Sequence, residues 1–353
     1  MRSPRTRTPR GRSRVGERFE VVVGPVAHGG HCVARVADGE ARRVVFVRHA
    51  LPGERVVLEL TEGTEGDRFW RADAVAILDP SPDRVSPPCP YAGPGVCGGC
   101  DFQHATPVSQ RGLKTAVVRE QLSRLARIES DVEVEYVPLP DGRGDDGLRW
   151  RTRQRYVDLA AVPPADRGRS APPGDSPGPR SGEGSPRGMR KHRSRDVVAV
   201  DDCLIAAVDA REPAPGTVME TVTVEGVSHD FQVSADGFWQ VHPAAPRVLA
   251  ETVLGMLDPR PGESVLDLYA GVGLFAAFLA DRVGPGGRVV AVEGDRRASA
   301  LSERNVPAAE ATAGDVASVL ATSYAGGFDL VVLDPPREGA RRAVVDAVAD
   351  RAP

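Results

Sequence analysis

Lysine is nearly missing from this chain: Lys114 and Lys191 are the only two among 45 basic residues, a bias that a GC-rich genome produces. Long apolar runs are missing too. None approaches the ~18 residues that a membrane span needs, so no membrane partner is expected. The first residues hold no apolar stretch of the secretory kind, which excludes an export signal and points to a cytoplasmic chain. Overall positive charge is absent. The formal net charge is −4, and residues 1–18 carry seven Arg against one Glu, which leaves 38 basic against 48 acidic residues in the rest. Any nucleic-acid contact must therefore come from local patches. That arginine-rich start reads as a basic disordered tail, with a transit peptide as the alternative. Cysteine, finally, is absent from residues 204–353.

The five cysteines present are Cys32, Cys89, Cys97, Cys100 and Cys203. Three crowd into the spacing Cys89-x₇-Cys97-x₂-Cys100, and Cys203 stands far downstream. Without an export signal this pattern reads as a metal site more readily than as disulfides. Four soft thiolates suit zinc or an iron–sulfur cluster, and the spacing alone does not choose between them. Buried free thiols are the plain alternative. Cys32 lies in a strand-rich stretch and reads as a core residue.

Residues 19–80 alternate short apolar runs with glycine, as in Phe19-Glu-Val-Val-Val23, Cys32–Val36, Arg43–Val47 and Arg55–Leu60. Such spacing predicts a small β-barrel. Residues 81–235 form a middle region of mixed α+β character. Leu113, Val117, Leu122 and Leu125 predict a helix over about 108–127. Residues 163–190 hold seven Pro, six Gly and four Ser, a composition that cannot bury a core and predicts a flexible insertion. It separates Arg149–Leu159 from Asp196–Val200, which are expected as strands of one sheet. Arg149, Arg151, Arg153 and Arg155 alternate, so on a strand they share one face. With Trp150 and Tyr156 near them they could track phosphates and stack bases, while an exposed charged strand is the bland alternative. Arg187–Arg195 adds further positive charge.

From residue 236 on, strands alternate with helices, the pattern of a doubly wound α/β sheet. Val265-Leu-Asp-Leu-Tyr-Ala-Gly-Val-Gly-Leu-Phe275 is a strand running into a glycine turn and then a helix. Gly271 and Gly273 let the backbone approach a ligand closely. Glu293 ends the next strand, where a carboxylate can take both hydroxyls of a ribose. Asp315 follows the third strand and could accept from an adenine amine. Asp334 ends Phe328-Asp-Leu-Val-Val-Leu-Asp334, at the edge of an open sheet where ligands sit. Each acid alone is more often a helix cap or a solvated turn, and a nicotinamide-dinucleotide enzyme is the rival reading for the set.

Asp334-Pro-Pro-Arg337, together with the glycine turn, resembles the class I S-adenosylmethionine-dependent methyltransferases. With the cysteine cluster upstream, the chain resembles the RNA uridine C5-methyltransferases. Ala27-His-Gly-Gly30 and Ala50-Leu-Pro-Gly-Glu54 resemble the TRAM domain, an OB-like RNA-binding barrel. The resemblance implies an α/β class I (Rossmann-like) methyltransferase domain over 236–353, a TRAM barrel over 19–80 and a small middle domain. It places cofactor contacts on Gln240, Tyr269, Gly271, Gly273, Glu293, Asp315 and Asp334. It implies a 4Fe–4S cluster on Cys89, Cys97, Cys100 and Cys203, and ribosomal RNA as partner. In that family a cysteine thiolate lies on the strand after the Asp-Pro-Pro-Arg one, with a glutamate base further on, and neither occurs within these 353 residues. The expectation is accordingly an incomplete methyltransferase domain with no assignable nucleophile, Asp334 having a supporting role. The alternative is an inactive TRAM-type RNA-binding protein or half of a split enzyme.

Overall fold

The computed structural model describes residues 11–142, 146–163, 166–167, 187–324 and 326–351. The chain forms two compact units, Met1–Tyr136 with Asp145–Leu148 and Tyr156–Ile205, and Val137–Gly144 with Arg149–Arg155 and Ala206–Pro353.

In the first unit, β1 (Arg18–Val22), β2 (Val26–Ala27), β3 (His31–Asp38), β4 (Ala41–Arg48), β5 (Arg55–Glu62) and β6 (Phe69–Asp79) form one sheet in the order β1-β5-β6-β4-β3-β2. Strict alternation buries one face: Cys32, Ala34 and Val36 on β3, and Val56, Leu58 and Leu60 on β5. Past the end of β1, Gly24 N donates to Val33 O at 2.8 Å, which brings β1 round to β3 and curls the sheet into the OB-like barrel. Cys32 is fully buried in this core, as expected.

Trp70 is its largest buried side chain. Its indole N–H donates to Thr64 O at 2.9 Å, and the Arg14 and Arg43 guanidiniums lie 4.9 and 5.2 Å from the ring centroid. This corrects the expected disordered tail over 1–18. Residues 1–10 lie outside the described residues, but Arg14 also pairs with Asp38 at 3.2 Å and Ser13 bridges to Thr64. Arg14 meets Asp38 and the Trp70 ring, Arg18 pairs with Glu59 at 2.7 Å, and Arg12, itself exposed, donates its backbone N–H to Glu65.

Next in the chain comes α1 (Pro107–Gln121), started by Thr106, whose hydroxyl accepts from Ser109 N. Leu113 and Val117 pack on the barrel core. The predicted helix ends early: Leu122–Ala126 is a π-type turn closed by Arg127 at φ 58°, and Leu125 is 74% exposed. β7 (Arg151–Arg153) belongs to the second unit, whereas β8 (Val157–Asp158), β9 (Arg187–Arg190) and β10 (Val197–Ala199) form a three-stranded sheet of the first. The expected single sheet is thus split in two. Most of the insertion predicted over 163–190 lies outside the described residues, but its last four residues are strand β9.

In the second unit, β7 pairs in parallel with β11 (Ala206–Arg211), and β12 (Thr217–Val224) forms an antiparallel hairpin with β13 (Val227–Ser234). Then come α2 (Ala245–Leu257), β14 (Ser264–Leu268), α3 (Leu274–Val283), β15 (Arg288–Glu293), α4 (Arg296–Asn305), β16 (Glu310–Ala313), α5 (Val316–Thr322), β17 (Leu330–Leu333) and α6 (Arg341–Ala349). The parallel sheet runs β16-β15-β14-β17. The chain steps outward from β14 to β16 and then returns beside β14, so the switch point lies between β14 and β17. One face packs on α2, α3 and the hairpin, around Phe231, Phe278 and Leu279. The other packs on α5 and α6, around Leu320, Phe328 and Val344. Covering on both faces is why β14 and β15 read as continuous apolar runs.

Candidate cofactor site at the sheet edge

Strand β14 stops at Tyr269, which has φ 64°, and the turn continues through Gly271 at φ 58° and Gly273 at φ 92°. Gly273 caps α3, and a Cβ there would lie 2.8 Å from both Ser302 Oγ and Val306 Cγ2. Gly271 is different: a Cβ there would meet nothing within 4 Å, so that side of the turn is open to a ligand. Asn305 Nδ2 braces the turn by donating to Val272 O at 3.0 Å.

Three carboxylates gather at this edge. Glu293 Oε2 accepts from Gly271 N at 2.8 Å, and its Oε1 accepts from Asp295 N at 2.7 Å. Asp334 is exposed at the end of β17, its N–H directed to Leu268 O. The third is Asp267, which sequence reasoning missed. It is completely buried within β14, and its Oδ2 accepts from Ala276 N at 3.1 Å, tying the strand to the first turn of α3. Its Oδ1 has no partner. Burial pushes its pKa up to about 7, and the charges of Asp334 and Glu293 push the same way. The signal was visible: an acid inside the otherwise apolar run Val265-Leu-Asp-Leu268.

Asp315 follows β16 as predicted, but its carboxylate caps α5, accepting from Ser318 N at 3.0 Å and Ser318 Oγ at 2.9 Å. Its resting job is the helix cap that competed with the adenine reading. Tyr269 is half-buried and its hydroxyl donates to Ala340 O at 3.4 Å. Gln240 follows buried Trp239 and the 78%-exposed Phe238.

The arginine row does not share one strand face. Only Arg151–Arg153 is strand, and Arg149 sits at φ 54°. Arg149 donates to Ala206 O at 3.1 Å. Arg153 donates to Gly237 O and, at 2.9 Å, to Ala235 O. It thereby braces the segment that carries Gln240. Arg155 is exposed, and the Arg151 guanidinium lies 6.0 Å from the Trp150 ring.

Among the described residues, no three His, Cys, Asp or Glu side chains are grouped closely enough to hold a metal ion. The four expected thiols still influence one another. Burial raises Cys89, Cys97 and Cys100, the last to about 12, and each feels the charge of Cys203. Cys97 Sγ accepts from Gly99 N at 3.3 Å and Cys100 Sγ from Gln103 Nε2 at 3.2 Å. Such N–H···S bonds favour the thiolate form, whereas burial disfavours it.

A parallel sheet with a glycine turn at its switch point and carboxylates after successive strands defines a class I, S-adenosylmethionine-dependent methyltransferase unit, here preceded by an OB-like barrel. Family models agree, with the TRAM domain matching residues 12–75 and the methyltransferase small domain matching residues 246–352. A Streptomyces coelicolor protein named an uncharacterized RNA methyltransferase is 41% identical over 94% of this chain and 81% of its own length. The 23S rRNA (uracil(1939)-C(5))-methyltransferase of Acidithiobacillus ferrooxidans is 27% identical over 88% of this chain and 81% of its own. The Pyrococcus abyssi tRNA (uracil-54, C5)-methyltransferase, solved with S-adenosyl-L-homocysteine, shares the fold at a TM-score of 0.52 and 20% identity, over 94% of this chain and 88% of that one. The chain belongs to the TRAM-containing RNA methyltransferase family. No helix among the described residues is long and apolar enough to cross a membrane.

Proposed function

We propose that this chain serves the transfer of a methyl group from S-adenosylmethionine to C5 of a uridine in 23S ribosomal RNA. The observation that carries the reading is the meeting of Gly271, Glu293 and Asp334 around the β14–β17 switch point, on a chain whose relatives are RNA methyltransferases. Bound S-adenosylmethionine supplies a methyl group made electrophilic by a sulfonium cation. Glu293 presents a carboxylate suited to the two ribose hydroxyls, and the open side of Gly271 admits the ligand against bare backbone. Gln240, Tyr269 and Asp334 line the same role, and Asp315 joins them by offering the oxygen that its helix cap leaves free. Carbon 5 of uridine is a weak nucleophile, so the reaction needs a thiolate added at C6 and a base for the C5 proton. Residues 204–353 contain no cysteine, and no residue among them is assigned that step. Uracil-C5 chemistry and a ribosomal target are supported by the names of the relatives, and RNA contact by exposed Arg155 and by Arg151 beside Trp150. Side-by-side assays with 23S rRNA and tRNA transcripts test the target. Tighter binding of 23S rRNA is expected, and a preference for tRNA overturns it.

The same reading places a 4Fe–4S cluster on Cys89, Cys97, Cys100 and Cys203, with zinc as the rival. Its support is the cysteine pattern that resembles the family's and the N–H donors on Cys97 and Cys100. Iron and acid-labile sulfide in anaerobically purified protein are expected. Stoichiometric zinc without iron contradicts the assignment.

A further inference from the structure

The first unit contains a cavity of about 330 Å³ that the cofactor site does not use, walled by the barrel face of His31, Arg48 and Arg71 and by the loop Lys191–Ser194. Four cations line it, Arg48, Arg71, Lys191 and Arg193, with the carboxylates Glu62 and Asp73, while Asp101 pairs with Arg48 and Asp196 with Lys191. Burial raises the Asp73 carboxyl, which weakens one of these compensating charges. Arg48 is buried and held by Asp101 at 2.9 Å. Arg71 is fixed between aromatic rings, its guanidinium 5.0 Å from the Phe69 centroid and 5.9 Å from Phe46, and it feels the repulsion of Arg193. Arg193 pairs with Glu62 at 2.7 Å, but that pair is exposed and so holds weakly.

The unpartnered atoms concentrate here. His31 Nε2, His192 Nε2 and Arg71 Nε are buried without a hydrogen-bond partner, and the two imidazoles stand 5.9 Å apart, edge to face. Buried nitrogens left unpaired cost free energy unless something fills the space between them. Arg71 and Arg193 share the single carboxylate Glu62, at 3.9 and 2.7 Å, so the group that fits between these nitrogens is an anionic acceptor. We propose that this cavity is a phosphate subsite that takes one backbone phosphate of the RNA substrate, with Arg71 and Arg193 as its cationic grip and His31 and His192 donating through their Nε2 atoms. The proposal rests on the RNA-methyltransferase reading. The strands carrying His31, Arg48 and Arg71 and the loop at 191–194 are separated by more than a hundred residues, so no local motif announces the site.

The test uses the full 353-residue chain and a fluorescent 23S rRNA fragment, with affinity measured between roughly 50 and 200 mM salt. Arg71→Gln and Arg193→Gln should each weaken binding about tenfold and lower the salt slope by about one, while S-adenosylmethionine affinity stays unchanged. Arg282→Gln, an exposed arginine of the other unit, should change neither. A folded Arg71→Gln chain with unchanged RNA affinity and slope overturns the subsite and leaves the functional reading standing. A wild-type chain that binds no RNA overturns both. Should Arg71→Gln fail to fold, the wild-type histidine resonances decide. RNA must move His31 and His192, and their movement by inorganic phosphate or uridine monophosphate but not by RNA makes this a free-phosphate site and overturns the proposal.

Discussion

Glu293 Oε2 accepts the backbone N–H of Gly271 at 2.8 Å, so the carboxylate that ends β15 is already docked on the glycine turn that follows β14. One side chain thus fixes the turn, and in the proposed function it also accepts from the cofactor ribose. Glu293→Ala should weaken S-adenosylmethionine binding by about ten- to a hundredfold, the scale of a lost charge-assisted hydrogen bond. Calorimetric titration of both proteins checks it, and circular dichroism should show an unchanged fold.

Gly273 is constrained twice, by φ 92° and by Ser302 Oγ and Val306 Cγ2 at 2.8 Å from a would-be Cβ. Gly273→Ala should cost at least ~1–2 kcal/mol from the left-handed backbone alone, with the clash added to it. Gly271→Ala meets open space and should cost stability less but cofactor affinity more. Urea melts and binding titrations on the pair separate the two roles.

The Asp267 carboxyl is pushed up to about 7 by burial, whereas an unfolded aspartate titrates near ~3.9. Between these values the folded chain holds a proton that the unfolded chain has released, so this group's contribution to stability is lost as pH rises through that window. Asp267→Asn keeps an acceptor for Ala276 N and removes the titration. Its melting temperature relative to wild type should climb as pH is raised from about 4 to about 7. A difference independent of pH contradicts this.

Glu54 is buried in the barrel with both oxygens used: Arg84 donates at 2.5 and 2.7 Å, Leu51 N at 2.8 Å and Ser81 N at 3.0 Å. Removing one partner leaves the other charge uncompensated. Glu54→Ala should cost about 3–5 kcal/mol in urea denaturation. Arg84→Ala should cost a similar amount, and the double variant less than the sum.

What was legible in the sequence was local. The strand–turn–helix at Val265–Phe275 and the acids at Glu293 and Asp334 are each announced within a dozen residues, and they occupy the expected sheet edge. What failed depended on partners far along the chain. The arginine alternation implied a long strand, but pairing with β11 covers only Arg151–Arg153, and distant carbonyls at Ala206, Ala235 and Gly237 take Arg149 and Arg153. Arg12 and Arg14 looked like a tail because Glu65, Asp38 and Trp70, which order them, lie 24 or more residues away. Asp267 was readable and was passed over, because attention went to the acids at strand ends instead of the one inside a strand.

The most direct measurement is the fate of labelled methyl groups. The chain is incubated with methyl-labelled S-adenosylmethionine and 23S rRNA, the RNA is digested, and the modified nucleoside is identified by mass. The account predicts that whatever label is transferred lies in 5-methyluridine and is reduced by Glu293→Ala. Label on a base nitrogen or on ribose contradicts it.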